Sequence, residues 1–211
     1  MFEDVPALRA ATFFKLSFPL PKSDRLDAKK GLKKPFLLPD MSEFLDEDSF
    51  ARVAMAWNEK GLFVVVDVDK AFEESAFPEL QRGDSFELFI DTRDLKSAGT
   101  VTRFCHHFVF FPKEDDECKS QEITRMREED SRELADPDDL SVDTTFNRKS
   151  YTMEIAISSD ALYGYSPKEF NRLGICYSVN RKGGDPQSFA VSSHEYAFSK
   201  HPALWATGEL V

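Results

Sequence analysis

The sequence predicts a mostly-β fold: a two-sheet antiparallel β-sandwich, jelly-roll-like, with one or two short helical turns. Three observations lead there. Apolar runs are short and end in turn residues, giving about ten candidate strands and little helical periodicity. Phe occurs 20 times against 5 Tyr and 2 Trp, and Phe favours strands and fills sheet cores. No Pro/Gly/Ser-rich linker and no internal repeat divides the 211 residues, so 1–211 reads as a single domain.

The elements follow in order. Residues 11–20 form a first strand, 22–34 a basic flexible loop and 39–49 an acidic connection. Residues 50–57 and 61–69 are two strong strands. Asn58-Glu59-Lys60-Gly61 between them is a hairpin signal. Residues 84–91, D-S-F-E-L-F-I-D, alternate strictly. Phe86, Leu88 and Ile90 take one face; Ser85, Glu87, Phe89 and Asp91 take the other. In the strand over 101–111, Arg103, Cys105, His107 and Val109 share a face, opposite Phe104, His106, Phe108 and Phe110.

Residues 113–138 are highly charged and lack an apolar stripe, so they read as an excursion that is part strand, part mobile loop. A second hairpin joins 141–147 to 151–157. Ser158-Ser159-Asp160 offers an N-cap for a short helical turn through Leu162. Residues 173–180 and 188–192 are late strands, and L-W-A-T-G-E-L-V closes the chain.

The net charge of −11 repels phosphate backbones and anionic lipid, so neither nucleic acid nor a membrane surface is an expected partner. No window approaches the roughly 18 apolar residues of a membrane span. The N-terminus lacks a basic segment followed by an apolar stretch, so no signal peptide is visible and the cytoplasm is the expected location. Cys105, Cys118 and Cys176 are odd in number and widely spaced, which fits neither a disulfide framework nor a C-x-x-C zinc site.

The stretch A-R-V-A-M-A-W-N-E-K-G-L-F-V-V-V-D-V-D, followed by G-D-S-F-E-L-F-I-D, resembles the family 9 carbohydrate-binding modules and their DOMON-like relatives. M-E-I-A-I-S-S-D-A-L, L-G-I-C-Y-S-V-N and the closing W-A-T-G-E-L extend the resemblance over about residues 50–211. It implies a non-catalytic β-sandwich that binds a glycan or small sugar between two stacking Trp and a set of polar groups. Carried over, those polar groups fall on Glu87, Arg103, His107, Ser178 and Asn180, with Arg93 a further candidate beside them. Phe89 and the loop over 72–82 would supply apolar contact. The stacking pair departs from the pattern: Gln81 or Arg82 stands at one Trp position and His201 near the other. The family also tends to hold structural calcium. Asp69 matches a metal-associated position, but one carboxylate does not make a cage of about six oxygens.

Several features have plain alternatives. His106 and His107 are adjacent in a strand and face apart, so one ion cannot take both without distortion. Glu87 and Asp91 share a face about 13 Å apart, beyond the separations of paired glycosidase carboxylates. Arg93 either pairs with Asp91 or Asp94 at the turn or serves a ligand. Gly183-Gly184-Asp185-Pro186 lacks the Lys-Ser/Thr of a phosphate loop. Ser192-Ser193-His194-Glu195 holds triad-type residues side by side, whereas triads assemble from distant positions. The alternative to sugar binding is a protein-interaction domain on the same scaffold, capturing its partner through 113–138. Deleting 113–135 would then spare folding.

Overall fold

The computed structural model describes residues 15–116, 118–191 and 197–211. In chain order the elements are β1 (Ser17–Leu20), α1 (Ala28–Gly31), α2 (Ser42–Leu45), β2 (Ala51–Asn58), β3 (Gly61–Val68), β4 (Ser85–Asp91), β5 (Cys105–Asp115), β6 (Cys118–Glu122), β7 (Leu140–Phe146), β8 (Tyr151–Ser158), β9 (Arg172–Asn180), β10 (Gln187–Ser188) and β11 (Ala206–Leu210). The larger sheet has seven strands: β1-β11-β9-β4-β5-β6, with β10 on β9. The smaller has four: β2-β3-β8-β7. The sandwich is as predicted, and among the strands of the described residues it is antiparallel except for one pair, β1 on β11.

The core lies between the sheets and follows the alternation. Phe86, Leu88 and Ile90 of β4, Phe108 and Phe110 of β5, and Ile175, Tyr177 and Val179 of β9 point inward. They meet Val53 and Met55 of β2, Val64 and Val66 of β3, and Met153 and Ile155 of β8. The expected β2–β3 hairpin forms. Its polar residues do local work: Asn58 Oδ1 accepts from Lys60 N at 2.8 Å. Gly61 has φ +141°, and a Cβ there would sit 1.9 Å from the Ile157 carbonyl oxygen, so only glycine fits. At the end of β8, Ser158 Oγ accepts from Asp160 N at 3.2 Å, capping a single helical turn as predicted.

Four expectations change. The first strand begins at Ser17, and residues 11–14 lie outside the described residues. The basic segment 22–34 is not a free loop. Leu26, with Leu32 and Phe36 beside it, packs on Ala54, Ala56 and Val65 and covers the outer face of the smaller sheet. That explains why β2 reads as almost continuously apolar: it is buried on both faces. Of 188–192, only Ser188 is strand among the described residues, as the second residue of β10, and Ser192 lies outside them.

The fourth change concerns 113–138, which is part strand as expected but whose remainder is fastened to the sheet rather than left as a loose loop. It completes β5, contributes β6, and is then fastened inward. Glu122, with a fully buried side chain, accepts from Arg132 Nη1 at 2.9 Å and from Ala135 N at 2.7 Å. Arg132 also donates to the carbonyl oxygens of Arg103 and Cys105 at 2.8 and 3.0 Å. His106 Nδ1 lies 3.0 Å from Glu122 Oε1 and 2.7 Å from Arg132 Nη2. Burial holds the His106 pKa below the usual histidine value, favouring the neutral ring beside the guanidinium.

Candidate ligand-binding site

The outer face of the larger sheet carries the candidate site. β4 lies between β9 and β5, so Ser85, Glu87, Phe89 and Asp91 point outward from its centre. Glu87 is opposite Ser178, and Phe89 is opposite both Cys176 and His107. Asn180 and His107 are therefore diagonal neighbours of Glu87, within reach of a long side chain. Asn180 Nδ2 donates to Glu87 Oε1 at 2.8 Å and to Ser85 Oγ at 2.9 Å. Ser178 Oγ donates to Asn180 Oδ1 at 3.3 Å. His107 Nε2 donates to Glu87 Oε2 at 2.7 Å. The structure thus joins four predicted residues, Glu87, His107, Ser178 and Asn180, into one hydrogen-bonded chain.

Beside this chain lies a cleft of about 340 Å³, the lower end of the size range of small-molecule sites. Phe89, Cys105, His107 and Trp205 line its sheet side. The His107 ring stacks on Phe89 with centroids 4.1 Å apart, and Trp205 lies 5.8 Å from Phe89 on the other side. Gly174 lies beneath it: a Cβ there would press on Asp91 Cβ at 3.1 Å and on Asp94 Oδ1 at 3.3 Å, and would only touch the Trp205 ring at 3.7 Å.

Phe77, Pro78 and Leu80 form one wall, from the loop predicted to give apolar contact. That loop is tied down at three places. Asp84 Oδ2 accepts from Glu73 N and Glu74 N, both at 3.0 Å; Asp115 Oδ2 accepts from Phe77 N at 2.7 Å; and Ser75 Oγ donates to the Lys113 carbonyl at 2.6 Å. Ile123, Thr124 and Arg125 form a second wall and Ser199 and Lys200 a third. The second wall is positioned by His107, whose N donates to Thr124 Oγ1 at 2.7 Å and whose carbonyl accepts from Ile123 N at 2.8 Å. Thus the cleft opens between two loops. Phe77 and Leu80 come from the first loop, Ser199 and Lys200 from the second.

Two predicted residues are elsewhere. Arg103 is not in a strand; β5 starts at Cys105, and Arg103 occupies the preceding turn. Its guanidinium pairs with Asp130, and its N donates to Asp130 Oδ2 at 2.9 Å. The Arg93 guanidinium pairs with neither Asp91 nor Asp94; only its backbone N reaches Asp91. Its side chain donates to the Gly164 and Thr92 carbonyls and lies over the rings of Phe104 and Phe170, 4.5 and 3.7 Å from their centroids. It is a cation–π clasp on the segment after β8.

Other chemistries find little support in the geometry. Asp91 caps the turn after β4, its two oxygens accepting from Arg93 N at 2.9 Å and Leu95 N at 2.6 Å, so it is no partner for Glu87. Burial, reinforced by the Asp91 charge, pushes the Cys105 thiol up to about 11, away from nucleophilic thiolate. His106 and His107 face apart as predicted, one into the Glu122–Arg132 cluster and one into the cleft. Asp69 lines a polar recess with Arg52, Asp67 and Ser150. Asp67 there is taken by Arg52 and by Thr152 Oγ1 at 2.8 Å, so the donor set does not fit a calcium cage. No group of three or more potential metal ligands occurs among the described residues. Ser192-Ser193-His194-Glu195 lies outside them.

No protein-family model and no curated protein matches the chain. Solved structures do. A family 9 carbohydrate-binding module from Caldicellulosiruptor kristjanssonii in complex with cellotriose aligns with a TM-score of 0.62 at 13% identity, over 92% of this chain and 93% of that one. A family 9 module from the same organism in complex with glucose aligns with a TM-score of 0.61 at 14% identity, over 93% and 95%. Agreement over nearly the whole of both chains makes the fold of this protein that of the family 9 carbohydrate-binding modules.

Proposed function

We propose that this protein is a non-catalytic module that binds a saccharide in the cleft on the outer face of its larger sheet. The observation that carries the reading is the chain Ser178–Asn180–Glu87–His107 at the edge of an aromatic cleft. A sugar presents hydroxyls that both donate and accept, over a ring with apolar C–H faces. A carboxylate acceptor, an amide and an imidazole meet the first need. Phe77 and the outer face of the His107 ring meet the second. Because Asn180 and His107 already hold Glu87, its carboxylate is oriented before a ligand arrives, which lowers the ordering cost of binding. The two modules of like fold, solved with cellotriose and with glucose, support the same class of ligand.

A glycan array followed by calorimetry tests this. At least one mono- or oligosaccharide should bind, and Glu87→Ala and His107→Ala should each weaken it by about tenfold or more, the loss of one or two charge-assisted hydrogen bonds. A folded protein that binds nothing across a broad panel would sink the reading.

A further inference from the structure

Resting on the assignment of the cleft as the sugar site, we infer that its ligand is an acidic saccharide, a sugar bearing a carboxylate such as a uronic acid. The protein as a whole is acidic, with 38 Asp and Glu against 27 Lys and Arg. The cleft reverses that balance. Among the described residues its lining contains Arg125 and Lys200 and no Asp or Glu. The two cations approach from opposite edges of the sheet. Arg125 follows β6 at one edge, and Lys200 ends the short helical turn Phe198–Lys200 before β11 towards the other. Both are exposed, and among the described residues neither pairs with a carboxylate. Nearby Arg103 and Arg132 differ: they are committed to Asp130 and Glu122.

The site is thus polarised. Glu87 lies on one flank with its two donors, suited to sugar hydroxyls. Arg125 and Lys200 lie on the others, suited to an anion. An acidic sugar would set its hydroxyl edge against Glu87, Asn180 and His107 and turn its carboxylate to the cations. Guanidinium is the better half of that pair, because its fork matches a carboxylate.

Matched sugars test the inference on the intact chain. Glucose is compared with glucuronate, and galactose with galacturonate, by calorimetry at low and high salt. The uronate should bind about tenfold more tightly than its neutral partner at low salt, two partly exposed ion pairs being worth roughly that. The advantage should shrink at 1 M salt, where screening acts within about 3 Å. In the double variant Arg125→Gln/Lys200→Gln, the uronate-to-neutral affinity ratio should fall to about one. Neutral sugars that bind as well as the uronates, or a ratio untouched by the double variant, overturn the inference and leave the cleft as a sugar site. If neither sugar class binds to protein with an intact thermal transition, the site assignment itself fails.

Discussion

Replacing Arg132 with Met should remove about 3–5 kcal/mol of stability at pH 7. Arg132 and Glu122 are 7% and 0% exposed in their side chains, and deleting one partner strands the other's charge in the interior. The carboxylate gives an independent figure. Burial alone would raise the Glu122 pKa, but Arg132, His106 and Thr124 outweigh burial and hold it at about 2 against an ordinary 4.5. At about 1.4 kcal/mol per pH unit, that gap corresponds to roughly 3 kcal/mol. Since the folded pKa is the lower one, this stability is complete above pH 4.5 and drains away as the pH falls towards 2. His106, also lowered in the fold, adds a loss that begins below 6.5. The assay is urea unfolding followed by the fluorescence of the buried Trp57 and Trp205, at pH 7 and in steps down to pH 3. The wild-type advantage should be largest at pH 7 and narrow below 4.5. A loss under about 1 kcal/mol at pH 7, or a gap that widens in acid, would refute the reasoning.

Three further outcomes are expected. Deleting 113–135 should abolish cooperative unfolding, because it removes β6 and the Glu122–Arg132 cluster; a sharp melt for the deletion would contradict this. Asp84→Ala should cost about 1–3 kcal/mol by leaving two loop N–H groups without their acceptor, and hydrogen exchange should quicken at Glu73 and Glu74 ahead of the sheet. Gly174→Val should cost about 1–3 kcal/mol by overpacking against Asp91 and Trp205, with a shift in Trp205 emission; an unshifted spectrum would show that the site relaxes freely.

Period-2 patterning made much of the molecule legible. D-S-F-E-L-F-I-D fixed which residues of β4 face the core and which face the cleft, and strand parity separated His106 from His107. The same parity argument failed at Arg103, because it assumed a strand already running where the chain is still turning. A turn residue points where its partners draw it, and that partner, Asp130, is 27 residues away. Arg93 escapes local pattern for a similar reason: its clasp on Gly164 and Phe170 joins segments that no local pattern links. The charged run 113–138 lacks an apolar stripe because its anchor is ionic, one buried Glu122–Arg132 pair, and hydropathy does not register such an anchor. Arg125 and Lys200 carry no local sequence signal because they reach the cleft on irregular segments brought together only by the sheet.

The parallel pair β1–β11 governs how the chain must fold. Ser17 pairs with Thr207 and Leu20 with Leu210, contacts that span about 190 residues. Val211 N donates to the Leu20 carbonyl at 3.0 Å, and its own carbonyl accepts from Lys22 N at 2.9 Å. An N-terminal strand therefore waits for its partner until nearly all the sequence between them has been synthesised. The loop to be closed is close to the longest this chain offers, which slows folding and leaves the β1 edge uncovered meanwhile. The four strands of the smaller sheet, β2, β3, β7 and β8, all precede β9 and so are complete during that interval. The sheet that carries the cleft is the last to be sealed.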